Sequence, residues 1–94
     1  MSESNESDKP SGIVMYESDL CGFCRAARRL LESKGWSYES RSVDGNAPLR
    51  AEMQEKTGRT SVPQIFFGDR HIGGFDDISA LEQDGELDSA FAAI

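Results

Sequence analysis

The chain has 94 residues, which suffices for one small domain and leaves no room for a second. It carries 17 acidic and 10 basic residues, and the net charge of −7 argues against nucleic acid or an anionic membrane as a partner. No apolar run approaches the ~18 residues of a membrane-spanning helix, and the polar, acidic start lacks a signal-peptide pattern, so we expect a cytoplasmic protein.

The predicted elements begin after a polar segment. Residues 2–10 contain no apolar side chain to bury, so residues 1–11 are predicted to form a disordered acidic tail. The folded domain is then predicted to span residues 12–94.

The first half of this domain predicts a strand, a helix and a second strand. The apolar, β-prone run 13–16 predicts the first strand, and residues 22–34 predict a helix with an apolar stripe that ends at Gly35. The polar run 38–43 predicts a second strand, and its polarity suits the edge of a sheet.

The second half adds a helix, a hairpin and two short helices. The predicted elements are a helix at 48–57 that opens on Pro48, strands at 64–67 and 71–72, a helix at 76–83, and a last helix that places Leu87, Phe91 and Ile94 on one face. A helix between the first two strands makes them parallel, and the hairpin makes the last two antiparallel. The order β-α-β-α-β-β-α therefore predicts an α/β fold, a small four-stranded mixed sheet with helices on both faces.

The two cysteines of the chain lie in the run Cys21-Gly22-Phe23-Cys24, at the junction of the first strand and the first helix. The free N–H groups of a helix N-terminus favour an anion, so Cys21 is expected to ionise readily, whereas Cys24 lies inside the helix and is expected to keep its proton. This asymmetry suits an attacking and a resolving thiol. A structural zinc site needs more ligands than the chain's 2 Cys and 1 His supply, so the pattern favours a redox pair.

Two further motifs indicate a binding groove. Pro63 precedes an apolar strand, and a cis bond there would leave the backbone of Val62 free to pair with a peptide. Taken alone, a Pro63 that merely begins the strand is the more common arrangement, because most X–Pro bonds are trans. The run Gly73-Gly74-Phe75-Asp76-Asp77 combines a sharp turn with a helix start near Asp76. Its free N–H groups could bind a carboxylate, and a plain turn with a helix cap explains it equally well.

These motifs together resemble one family, the glutaredoxins, and the stretch 58–77 looks most like the small bacterial dithiol glutaredoxins of the third type. The segments that carry the resemblance are Cys21-Gly22-Phe23-Cys24, Thr60-Ser61-Val62-Pro63-Gln64-Ile65-Phe66 and His71-Ile72-Gly73-Gly74-Phe75-Asp76-Asp77. The resemblance implies a thioredoxin fold, glutathione as the reductant and Cys21 as the nucleophile.

The resemblance also implies the roles of the groove residues. Pro63 would be cis, and the backbone of Val62 would pair with the cysteinyl part of glutathione. The N–H groups of Asp76 and Asp77 would hold the γ-glutamyl carboxylate, with the Asp77 side chain near the ammonium group. The other residues expected around glutathione are Phe23, Ser61, Gly74, Phe75 and Arg59, the last as the candidate for the glycyl carboxylate.

The chain departs from the family pattern at two places. Gly22-Phe23 stands where Pro-Tyr is usual, and relatives with a small residue there, including the single-cysteine Cys-Gly-Phe-Ser class, often bind an iron–sulfur cluster between two subunits. Ser18 stands where a Lys or Arg is usual, so a cation that would favour a thiolate is missing.

The expected function is that of a monomeric, glutathione-dependent thiol–disulfide oxidoreductase that serves cell redox homeostasis without a metal. It would reduce protein–glutathione mixed disulfides and protein disulfides through Cys21 and Cys24. The alternative is a dimer in which Cys21 and glutathione hold a [2Fe–2S] cluster for iron–sulfur assembly or sensing. A redox-inert interaction module is a third hypothesis.

Overall fold

A computed structural model describes residues 12–94, so the predicted tail at 1–11 lies outside the described residues. The elements are β1 (Ile13–Glu17), α1 (Gly22–Ser33), β2 (Glu39–Ser42), α2 (Ala47–Thr57), β3 (Gln64–Phe67), β4 (Arg70–Gly73), α3 (Phe75–Gln83) and α4 (Leu87–Ala92). Their order confirms the predicted one. Among the helices of residues 12–94, none has the length and apolar character needed to cross a bilayer.

The four strands form one mixed sheet in the order β2-β1-β3-β4. Strand β1 pairs with β2 in parallel and with β3 antiparallel, and β3 pairs antiparallel with β4. The predicted polar edge strand is therefore confirmed. It is shorter than the sequence indicates, because Val43 leaves the ladder, although its N–H still donates to the carbonyl oxygen of Glu17 at 2.9 Å.

Helices cover both faces of the sheet, as predicted. The larger core lies between the sheet and helices α1, α3 and α4, and its buried residues are Ile13, Met15, Ala27, Leu31, Ile65, Phe67, Ile78, Leu87 and Ala90. A smaller core on the opposite face contains Tyr16, Val43 and Met53 and lies under α2. Because α1 and α3 share one face, their N-termini can contribute to one site.

An aromatic cluster closes the larger core beyond α1. Trp36 stacks on Phe91 with ring centroids 4.0 Å apart, and it meets the edge of Phe67 at 6.1 Å. Trp36 therefore covers one end of the larger core. Ile94 departs from the predicted face of the last helix: it follows the end of α4, and its side chain is 48% exposed.

An ion pair between a buried carboxylate and a partly exposed arginine ties α1 to the end of β1. Glu17 is only 4% exposed, and one of its carboxylate oxygens accepts a hydrogen bond from Arg28 at 2.7 Å. The hydroxyl of Ser40 on β2 donates to the other oxygen. A buried carboxylate needs such partners, because water no longer solvates it. The pair therefore fixes the strand-to-helix junction that carries the two cysteines.

The Glu17–Arg28 pair predicts a stability difference between two neighbouring arginines. Arg28→Met leaves the buried carboxylate of Glu17 without its cation, and we expect the free energy of unfolding to fall by about 2 kcal/mol. Arg29→Met changes an exposed side chain of the same helix and should alter it by less than about 0.5 kcal/mol. Urea unfolding measures both variants. If both variants lose the same free energy of unfolding, the Glu17–Arg28 ion pair does not stabilise the fold.

Candidate active site

Cys21 caps the N-terminus of helix α1. Its backbone is extended, with φ −106° and ψ 120°, and its sulfur accepts a hydrogen bond from the N–H of Cys24 at 3.2 Å. The side chain is partly exposed, so a substrate can reach the sulfur. A first-turn N–H directed at sulfur stabilises negative charge there, and the helix dipole acts in the same direction. The predicted position of Cys21 at a helix N-terminus is confirmed.

Cys24 lies in a different environment although it is only one helical turn away. Its side chain is buried, and burial is the main reason that its pKa is raised to about 12. The Cys21 sulfur and the negative charge of Glu17 also disfavour ionisation of Cys24. At neutral pH Cys24 is therefore a protonated thiol. The prediction that Cys24 keeps its proton is confirmed, and Cys21 is the less buried of the two cysteines.

The turn between β1 and Cys21 is held by an aspartate. The Ser18 hydroxyl donates to one carboxylate oxygen of Asp44 at 2.6 Å, and the N–H of Asp19 donates to the other at 2.8 Å. These two donors, the backbone one foremost, lower the pKa of Asp44, which is therefore ionised at neutral pH. A carboxylate thus accompanies Ser18 at the position where the family usually has a cation.

A groove of about 260 Å³ runs beside Cys21. It brings together all nine residues that the resemblance placed around glutathione, and its lining consists of Phe23, Arg59, Ser61, Val62, Pro63, Gln64, Gly74, Phe75, Asp76 and Asp77. The Val62–Pro63 bond is cis, as the resemblance implies. The Cys21 sulfur lies 3.5 Å from the carbonyl oxygen of Val62, which places the thiol at the edge of the groove.

Asp77 organises the other end of this groove. One oxygen of its carboxylate accepts from the N–H of Gly74 at 2.9 Å and from the guanidinium of Arg59 at 3.1 Å. The Gly74 N–H is the larger cause of the lowered pKa of Asp77, and Arg59 adds to it. Helix α3 begins at Phe75, one residue before the predicted start, so its unpaired first-turn N–H groups lie along the groove.

The two glycines before α3 allow close approach of the chain. Gly73 has φ +128°, and a Cβ atom at this position would lie 2.1 Å from the Asp77 carboxylate. A Cβ on Gly74 would lie 3.2 Å from the carbonyl oxygen of Pro63. Glycine at position 73 is therefore needed both for the backbone conformation and for the capping contact of Asp77.

Sequence reasoning missed Gln64. Its side chain is 1% exposed, donates to the carbonyl oxygen of Ser61 at 3.0 Å, and bonds His71 at 2.7 Å, so it fixes one wall of the groove. A polar residue at the start of an otherwise apolar strand was the available signal. The hydrogen bond to Gln64 gives His71 a structural role at this wall. Its pKa is lowered, chiefly by burial.

The arrangement supports nucleophilic chemistry at sulfur. Cys21 supplies a reachable sulfur with a hydrogen-bond donor behind it, and the groove supplies aromatic walls in Phe23 and Phe75, whose rings stack with centroids 6.4 Å apart. Cys24 supplies a second thiol within the same first turn of α1, three residues from Cys21. These are the parts that thiol–disulfide exchange requires.

Comparisons with known proteins agree with this chemistry. The model of the family described as Glutaredoxin matches residues 13–72. Glutaredoxin 3 of Escherichia coli is 46% identical over 78 residues, which cover 83% of this chain and 94% of that protein. A glutaredoxin of Pseudomonas aeruginosa is 43% identical over 81 residues, which cover 86% of this chain and 96% of that protein.

A solved structure supports the fold as well. The crystal structure of a buckwheat glutaredoxin–glutathione complex superposes with a TM-score of 0.81 at 27% identity, and the match covers 87% of this chain and 77% of that one. The sheet order, the capped thiol and the groove are thus found in a chain that matches the family along most of its length. The protein belongs to the glutaredoxin family of glutathione-dependent thiol oxidoreductases.

Proposed function

We propose that the protein reduces protein–glutathione mixed disulfides and protein disulfides, with Cys21 as the nucleophile and Cys24 as the resolving thiol. The observation that carries this proposal is the capped sulfur of Cys21, 3.5 Å from the Val62 carbonyl at the edge of the groove. The buried thiol of Cys24 behind it keeps its proton at neutral pH. The protein would act as a monomer in the cytoplasm, on glutathionylated or disulfide-containing proteins.

The reaction with a mixed disulfide has two exchange steps. The Cys21 thiolate attacks the glutathione sulfur, a bond forms between these two sulfurs, and the protein thiolate leaves and takes a proton from water. A second glutathione thiolate then attacks the sulfur of the bound glutathione. This step releases oxidised glutathione and restores the Cys21 thiolate, which the N–H of Cys24 stabilises.

Protein disulfides need the second cysteine. Cys21 first forms a mixed disulfide with one sulfur of the substrate, and the other sulfur leaves as a thiolate. Cys24 then loses its proton to water and attacks the Cys21 sulfur, and the bond between Cys21 and the substrate breaks. The substrate sulfur leaves as a thiolate that takes a proton from water, which gives the Cys21–Cys24 disulfide and the reduced substrate. The high pKa of Cys24 delays this step relative to attack by an external thiolate, so glutathione can compete with it.

The groove offers a complementary group for each end of glutathione. The first-turn N–H groups of α3 suit the γ-glutamyl carboxylate, and the guanidinium of Arg59 suits the glycyl carboxylate. The contacts of Asp77 with Gly74 and Arg59 both use one oxygen, which leaves its other oxygen for the ammonium group. The backbone of Val62 would pair with the cysteinyl residue and align its sulfur with Cys21.

A cluster-binding dimer is the second candidate, and Gly22 is the observation that favours it. A Cβ at Gly22 would find no atom within 4 Å, so the surface above the first turn of α1 is open. A [2Fe–2S] cluster is held by thiolates, and each copy of the chain would supply the exposed Cys21 sulfur together with a bound glutathione. Cys24 is buried and would not serve as a ligand.

Substitution of each cysteine tests the proposed mechanism. Cys24→Ser should keep the turnover of a glutathionylated peptide, because external glutathione resolves the intermediate, but it should lose most reduction of a protein disulfide. Cys21→Ser should reduce both activities to the uncatalysed rate. Coupled consumption of NADPH through glutathione reductase measures each reaction. Turnover of the glutathionylated peptide by Cys21→Ser would refute the mechanism.

Substitution of Gly73 tests the capping contact of Asp77. In Gly73→Ala the new methyl group occupies the site of the Asp77 carboxylate, so we expect the free energy of unfolding to fall by about 2 kcal/mol and the KM for the glutathionylated substrate to rise severalfold. Gly35→Ala is the control, because Gly35 also has a positive φ, +75°, but no atom within 4 Å of its Cβ position. Gly35→Ala should lower the free energy of unfolding by about 1 kcal/mol and leave the KM for the glutathionylated substrate unchanged. Equal KM values in both variants would count against this role of Asp77.

Anaerobic purification with iron, sulfide and glutathione separates the two candidate functions. The redox enzyme predicts a colourless monomer with high turnover, whereas the cluster protein predicts a brown dimer with low turnover. Gly22→Pro provides a matched variant, because proline restricts the first helical turn without touching either thiol. A cluster that forms in the original chain and is lost in Gly22→Pro would establish the second function.

A further inference from the structure

Two large apolar side chains extend into solvent beside the nucleophile. Leu20 is 96% exposed and Phe23 is 61% exposed, and among residues 12–94 only Ile94, at 48%, is a comparably exposed large hydrophobic residue. A single exposed leucine is common on protein surfaces and carries no meaning by itself. Here two of these three side chains lie within two residues of Cys21. A substrate bound at the Cys21 sulfur can therefore contact them.

Hydrogen bonds hold the backbone that presents Leu20. Asp44 accepts from the Ser18 hydroxyl at 2.6 Å and from the Asp19 N–H at 2.8 Å, and the N–H of Leu20 faces the Ser18 oxygen at 3.4 Å. These contacts join the turn before Cys21 to the loop between β2 and α2. Leu20 is therefore presented by an anchored turn, and little conformational entropy would be lost when a partner covers it.

The reaction itself limits where a protein substrate can lie. The groove takes the glutathione part of a mixed disulfide, and Leu20 does not belong to its lining. The polypeptide on the other sulfur must therefore cover the remaining surface around Cys21. Residues adjacent to the substrate cysteine lie only about 4 Å from it along the chain, so they reach the surface next to Cys21. The exposed large apolar side chains nearest to Cys21 in the sequence are Leu20 and Phe23.

We propose that Leu20 and Phe23 form a docking surface, the thiol rim, for protein substrates with an apolar side chain next to the disulfide-bonded cysteine. The inference rests on the proposed function and names the substrate class of the same site. Covering Leu20 removes apolar area from water that glutathione in its groove leaves exposed. Leu20 thus adds affinity for the protein part of the substrate and none for small disulfides, whereas Phe23 also lines the groove.

The test compares three substrates: two glutathionylated peptides that differ only in Leu or Ser beside the cysteine, and the mixed disulfide of glutathione with 2-mercaptoethanol. We expect kcat/KM to be about tenfold higher for the leucine peptide than for the serine peptide. Leu20→Ser should remove most of this preference and leave the small disulfide unchanged. Ile94→Ser is the matched control, because Ile94 lies near Gly12, at the opposite end of β1 from Cys21, and should change nothing.

The outcomes separate the inference from the proposed function. If Leu20→Ser keeps the preference for the leucine peptide, or if Ile94→Ser reduces that preference equally, the thiol rim is overturned. Turnover of the small disulfide would still support the proposed function. If none of the three substrates is turned over, the proposed function is refuted instead.

A second measurement tests the thiol rim without glutathione. In a Cys24→Ser background, Cys21 attacks the sulfur of peptides carrying thionitrobenzoate on their cysteine, and the coloured thionitrobenzoate anion leaves as the peptide bonds to Cys21. The reaction with the leucine peptide should again be about tenfold faster than with the serine peptide. In Leu20→Ser this ratio of rates should fall towards one. A ratio that Leu20→Ser leaves unchanged overturns the inference.

Discussion

The hydrogen bond from the Cys24 N–H to the Cys21 sulfur is the contact on which the rest of the site depends. It exists because Cys21 caps helix α1, where the first N–H groups have no partner within the helix. Two long-range contacts hold this junction in place. The Glu17–Arg28 pair fixes the helix to the end of β1, and Asp44 fixes the intervening turn through Ser18. Without them the cap would depend on a short, otherwise exposed turn.

Burial separates the chemistry of two identical side chains three residues apart. Cys21 projects from the helix start towards solvent and the groove, whereas Cys24 faces the sheet and loses the hydration that a thiolate needs. The resulting pKa of about 12 keeps Cys24 protonated at neutral pH. In the proposed mechanism this position in the fold makes Cys21 the sulfur that reacts first.

The groove combines three segments that are distant in the sequence. Phe23 comes from α1, the cis Val62–Pro63 bond precedes β3, and Asp77 comes from α3. Asp77 links the last two segments, because it caps its own helix at Gly74 and binds Arg59 from before β3. The lack of a side chain at Gly73 makes room for that carboxylate. Gly73 and Asp77, whose sequence pattern is also that of an ordinary turn and helix cap, thus shape the groove as well.

The sequence by itself determined the order of the elements, the polar edge strand, the cap position of Cys21 and the burial of Cys24. These features follow from local periodicity, capping and spacing, which act over a few residues. The resemblance of three motifs to the glutaredoxins supplied the groove residues, and all nine line one groove. Only the tertiary structure decided which polar groups meet: Glu17 with Arg28, Ser18 with Asp44, Gln64 with His71, and Arg59 with Asp77. Each of these pairs is brought together by the packing of elements around the sheet, and no local pattern specifies which charged or polar residue a folded chain will place opposite another.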